Sequence, residues 1–360
     1  MKVFGSIKLD ITLMFQFPKL IDKIRVNLGH KLLRVILGRK SRFATKTLAT
    51  LFSILNYGVY EVRHESLNHH FVPQFILKNF KIGDAGLIYE YNSDYPKGRE
   101  RSIRKHVCMV KDLYTFRDRT SKEPNDFIET HLFANYLDGY APKIVELIRE
   151  DKKTTGAEEA ILATFVAFQY VRTPKFMGQL NEFVTFLVKA RGVPLSHITD
   201  RNNFKTFFRQ AFVENVYSIT RKEFEAFRAT NKLLMTGAEN LLISLAIQAG
   251  QQLSKPLHLT KDAVTAKTED DLFFITDHPV IIVNLKNGEF MGPLLWEFDD
   301  MTVFMPLSPT RAIHYFSRTT PINPGYKFWE MATLANAYRN VYSNRQSPVL
   351  EIAFGVKIKR

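Results

Sequence analysis

Two histidines in succession, His69 and His70, open the stretch NHHFVPQFILKNF. Imidazole is the side chain that changes charge near neutral pH, so either ring is suited to hold a metal ion or to take a proton. Directly after them, the spacing of Pro73, Ile76, Leu77 and Phe80 predicts one apolar helical face, with the proline at the first helical position. The histidines then precede a helix N-terminus, whose free N–H groups favour anions and lower the pKa of a nearby imidazole. The plainer reading is a pair of rings that only pack at a helix entrance.

Other chemistry-bearing residues lie far along the chain. From Glu129, the aromatic residues Phe133, Tyr136 and Tyr140 follow at helical steps, which sets a carboxylate at the head of an aromatic face. Burial would raise its pKa unless a cation answers it, whereas on the surface it would merely complement the helix dipole. The run AILATFVAFQYV, Ala160 to Val171, is apolar almost all round and predicts a helix buried on most sides. Gln169 and Arg172 are set into its end on one face. Leaving a buried charge without its partner costs on the order of 3–5 kcal/mol, so Arg172 calls for a carboxylate or a substrate anion. Pro174 ends or kinks this helix and leaves Arg172 near its C-terminus. In FFITDHPVIIV, Asp277, His278 and Pro279 interrupt two strand-like runs, as a plain turn or as a loop carrying function. Asp277 and His278 with an earlier histidine offer the hard O and N donors that suit Mg²⁺, Mn²⁺ or Zn²⁺. No spacing matches HExxH, a phosphate-cradling glycine loop or a GxSxG elbow.

The elements that must position these residues form three blocks. Asn68 to Arg119 has short strands such as GLIYEYN and SIRKHVCMVKDLYTF after a helix at the histidines. Residues from about 125 to 255 are helical by period, and the remainder returns to strands, DDLFFITDHPVIIVNL and TVFMPLSPTRAIHYFS, followed by the helix GYKFWEMATLANAYRNVYS. This predicts an α+β fold in which a helical central block packs with short strands from both ends. The expected organisation is one domain, 62–360, behind a basic extension, 1–61.

Charge is concentrated in that extension. The first 48 residues hold eleven Lys or Arg against Asp10 and Asp22, a net of +9 out of +14, so the other 312 residues net only +5. From Ile21, the apolar residues Ile24, Leu28, Leu32 and Val35 recur at helical steps between cations, the pattern of an amphipathic helix docked on the body or on an anionic membrane surface. No apolar run approaches the roughly 18 residues of a membrane span, and Lys19, Lys23 and Arg25 break up any secretory signal. A single cysteine, Cys108, excludes an intramolecular disulfide and a multi-thiolate zinc site, and fits a reducing, cytoplasmic compartment.

Taken in order, HHFVPQFILKNF, GLIYEYN, DLYTF, FIETHL, FQYVRTP, FFITDHPV and FMPLSP resemble the mainly bacterial family catalogued as domain of unknown function 4238. The resemblance runs from about Asn68 to Pro309 and matches His70, Glu129, Gln169, Arg172 and Asp277 to polar signature positions. His278 stands where the family has Asn. The family implies no activity, so the chemistry rests on the five residues, which are expected to converge. As a site they would hydrolyse a phosphodiester or related anionic substrate, nucleic acid included, with metal assistance. His70, Glu129 and Asp277 would serve as ligands or base, Gln169 would orient and Arg172 would hold the anion. The alternatives are a non-catalytic module that binds a small ligand or keeps the residues as a buried polar network, and an effector targeted by its basic extension.

Overall fold

The computed structural model describes residues 68–117, 124–125, 128–192, 239–259, 261–270, 272–285, 289–290, 301–317 and 324–355. The basic extension, with the amphipathic helix expected in it, and the segment NNFKTFFRQAFVENVYSIT, expected to be helical, lie outside the described residues.

The fold is α+β. Strand β1 (Asn68–His70) leads through Pro73 into the short helix α1 (Gln74–Lys78), then β2 (Leu87–Asn92), β3 (Tyr95–Ser102), α2 (Ile103–His106) and β4 (Met109–Lys111). A two-residue pair, β5 (Phe116–Arg117) and β6 (Pro124–Asn125), precedes a π-helix (Ile128–Leu137), which runs into α3 (Asp138–Arg149). The helical block continues with α4 (Gly156–Val171), α5 (Pro174–Arg191) and α6 (Glu239–Leu259). Strands β7 (Lys261–Lys267), β8 (Ile275–Thr276), β9 (Ile281–Asn284), β10 (Glu289–Phe290), β11 (Met301–Ser308) and β12 (Arg311–Ser317) follow. Helix α7 (Tyr326–Asn336), β13 (Val341–Ser343) and α8 (Pro348–Gly355) complete the described chain.

The strands form two main antiparallel sheets, ordered β10-β9-β11-β12-β7 and β3-β2-β13-β8, and a small ribbon in which β1 pairs with β4. The first sheet buries Phe304 against Trp329 of α7, their rings stacked 4.4 Å apart. The second sheet takes strands from both ends of the sequence, because β13 pairs with β2 and with β8.

Helix α4 is the centre of the helical block. It starts on a reciprocal cap in which the Thr155 hydroxyl accepts from the Glu158 N–H and the Glu158 carboxylate accepts from the Thr155 N–H. From Ile161 onwards every residue to Val171 except Thr164 is buried, as the apolar run predicts. Its close neighbour is α6, where Gly250 leaves room for the Phe168 ring; a Cβ there would lie 3.0 Å from that ring and 3.1 Å from Val171.

Three local expectations change. His69 and His70 lie on a strand, Pro73 is the N-cap rather than the first helical residue, and SIRKH forms a helical turn anchored by buried Ile103. The apolar face itself stands, with Ile76, Leu77 and Phe80 fully buried. The stripe from Glu129 is broken because the i→i+5 bonds of the π-helix shift the rows of side chains; Phe133 is buried while Tyr140 is exposed.

Candidate functional site

Alternation along β1 sends the two histidines to different environments. His69 is fully buried, stacked on Tyr114, and its Nδ1 accepts from the Tyr114 N–H at 3.0 Å. It packs the ribbon to the helices. His70 is half-buried, and its Nε2 accepts from Gln74 Nε2 at 3.2 Å, which leaves the proton of the neutral ring on Nδ1. Burial first, and then the charge of Arg172, hold His70 below its usual pKa, so it is neutral at pH 7. The depression is the one foreseen, but its cause is burial and a cation rather than a helix N-terminus.

Arg172 caps the end of α4, as Pro174 dictates by starting α5. Its side chain is 1% exposed and is met by the carboxylate that its burial demanded: Nη1 donates to both oxygens of Asp138, at 3.0 and 3.2 Å. Nε donates to Gln169 Oε1 at 2.7 Å, and Gln169 in turn donates to the Phe71 carbonyl at 2.8 Å. The guanidinium also lies against the rings of Phe133 and Phe165. The Tyr114 hydroxyl donates to the Arg172 carbonyl. Among the described residues Nη2 has no hydrogen-bond partner. Glu129, in the first turn of the π-helix, is close enough to Tyr114 for its charge to add to the effect of burial in raising that hydroxyl's pKa.

Asp277 belongs to a different group of contacts. Its carboxylate accepts from the backbone N–H of Tyr338 (2.8 Å), Arg339 (2.8 Å) and Asn340 (3.0 Å), so it fixes the turn between α7 and β13. Beside it His278 is buried on Tyr170, and its Nδ1 lies 2.5 Å from the Thr173 hydroxyl. Lys175 donates to the carbonyl and the side-chain oxygen of Asn336. The stretch Gln169 to Lys175 thus joins two polar groups, Arg172 facing one and Thr173 the other.

The expected convergence is therefore partial: Arg172 bonds Gln169 and acts on the charge of His70, Glu129 acts on Tyr114, whose hydroxyl donates to the Arg172 carbonyl, and Asp277 serves the other group. Among the described residues no three His, Cys, Asp or Glu side chains come together as a metal-holding set. His70, Glu129 and Asp277 accordingly do not form a three-ligand site there. A cavity beside the cluster, between Phe133, Phe168 and Arg172 on one side and Ile243 and Ile247 on the other, has apolar walls and room for about one water-sized group, too little for a substrate. Sequence reasoning missed Asp138 and Tyr114. Asp138 in NYLDGY has no spacing relation to Arg172, and only the demand for a counter-charge pointed to some such residue.

A family model described as "Protein of unknown function (DUF4238)" matches residues 68–347. No curated protein and no solved structure matches the chain.

Proposed function

The chain belongs to the DUF4238 family, and we propose from its own residues that it binds a small anionic group beside β1, with Arg172 as the anchor and His70 as a flanking donor. The surrounding side chains open to admit it, because the cavity at Arg172 holds only about one water-sized group. The observation that carries this reading is the Arg172 Nη2, buried and without a hydrogen-bond partner among the described residues, beside an imidazole that is neutral at pH 7. A buried guanidinium N–H left unsatisfied costs more than a neutral one, and an anionic oxygen is its strongest complement. His70 Nδ1–H adds a second donor. Asp138 and Gln169 supply rigidity, because they lock the guanidinium in one orientation before any ligand arrives.

The test is thermal unfolding with inorganic phosphate, with acetate, and with Mg²⁺, Mn²⁺ or Zn²⁺ against a chelator, for the wild type and His70→Gln. An anion at about 100 times its Kd contributes about 2.7 kcal/mol, a rise of about 4 °C for a chain of this size. The expected result is such a rise for phosphate or acetate that shrinks in His70→Gln. No response to any anion would remove the reading.

The second reading is hydrolysis of an anionic ester by acid–base chemistry. Its support is a half-buried imidazole held neutral next to a cation, whose Nε2 would take a proton once it gave up the hydrogen bond from Gln74. Phosphodiester cleavage that disappears in a folded His70→Ala would establish it.

A further inference from the structure

The segment Lys97 to Lys111 carries six Lys or Arg and one Glu, a net of +5. That equals the whole net charge of the chain after its first 48 residues, so the other residues of the body sum to zero. The segment is the edge strand β3, the helical turn α2 and β4.

Two of the cations are held in place. Glu90 on β2 is buried, and one of its oxygens takes both Nε and Nη2 of Arg99 at 2.7 Å and lies 3.5 Å from Nε of Arg101. Arg99 is further fixed over the Tyr95 ring, 3.5 Å from its centroid. One carboxylate answers two guanidinium groups, which keeps a positive surplus, and the two side chains remain 32% and 29% exposed. Arg104 and Lys105 follow on α2, exposed and without an ion pair among the described residues. Glu90 takes the Nε–Nη2 edge of Arg99, so the other edge of Arg99, together with Arg101 and the exposed cations Arg104 and Lys105, is left to donate to phosphate oxygens.

We propose that Arg99, Arg101, Arg104 and Lys105 form a contact surface for the phosphate backbone of a nucleic acid. The favoured partner is nucleic acid rather than an anionic membrane because β3 and α2 themselves expose one large apolar side chain, Tyr95, whose ring is covered by Arg99. Val349 and Ile352 are exposed on α8, which packs on β3, so the vesicle measurement below is the discriminating one. The proposal is separate from ligand binding at Arg172.

The experiment measures fluorescence anisotropy of labelled duplex DNA and single-stranded RNA with the full chain across a salt series, beside the triple variant Arg101→Gln, Arg104→Gln and Lys105→Gln. Arg99 and Glu90 are kept so that the sheet retains its buried pair, and circular dichroism checks the fold. The charges of the first 48 residues are present in both proteins and cancel from the comparison. The expected result is at least tenfold weaker binding by the variant and a slope of log K against log salt that is shallower by about 2 to 3, since each phosphate that the protein neutralises adds about 0.7 to 0.9 to the slope. Equal affinity and slope in the two proteins would overturn the proposal. So would charge-dependent binding seen only with phosphatidylserine vesicles or only with polyglutamate.

Discussion

Arg172 shows how far one residue type can be argued from its place in the sequence. An arginine at the end of an apolar helix had to meet a carboxylate, and it meets Asp138. The identity of the partner was not legible, since it depends on how the π-helix turns into α3. The pair is one-sided, with Asp138 about one-fifth exposed and Arg172 buried. Removing the carboxylate therefore strands a buried charge, and Asp138→Asn should lower stability by about 3 kcal/mol in urea unfolding; a change below about 0.5 kcal/mol would mean that the ion pair is not formed in solution. Asp277 illustrates the opposite outcome. Its type and position at a strand end read equally as ligand or turn, and three backbone N–H groups of Tyr338 to Asn340 occupy it.

At the level of elements, burial periodicity was the reliable guide and hydrogen-bond class was not. The apolar faces of α1 and α4 followed from spacing alone, whereas a π-helix has no sequence pattern that separates it from an α-helix, so the stripe running from Glu129 to Tyr140 dissolved. Helix α6 has one tight requirement. Gly250→Ala would add up to about 1 kcal/mol of helix propensity, yet its methyl would lie 3.0 Å from Phe168, which is pinned against Phe133. Overpacking costs of about 1–3 kcal/mol should win, and differential scanning calorimetry should show a lower Tm. A raised Tm would mean that α4 and α6 slide apart freely. In the first sheet, His314 of β12 is enclosed by Phe304, Phe316 and Trp329, and burial lowers its pKa to about 4. The unfolded chain binds its proton more readily below 6.5, so the contribution is full above that pH and is lost as the pH falls toward 4. Between pH 7 and 5 it amounts to about 2 kcal/mol. Urea midpoints of the wild type should fall over that range, and those of His314→Leu should fall less; parallel curves would place the ring in water.

For the whole molecule, the sequence conveyed fold class, the order of the blocks and the family, because these rest on period and on spaced motifs. The α+β architecture and the match to residues 68–347 agree with it. What it could not convey is which distant groups meet. The stretch from Gln169 to Lys175 serves two polar groups, so residues that share a motif need not share a site. Among the described residues no helix is long and apolar enough to cross a membrane. The central claim is that Arg172 anchors an anion, and it is tested most directly by titrating inorganic phosphate and acetate calorimetrically into the wild type and Arg172→Lys at pH 7.5. The lysine keeps the charge but lacks the fork that places Nη2 while Nε and Nη1 hold Gln169 and Asp138. Saturable binding by the wild type, weakened at least tenfold in a folded Arg172→Lys, is the expected result. Equal heats from both proteins, or none from the wild type, would contradict it and leave Arg172 as a support for the fold.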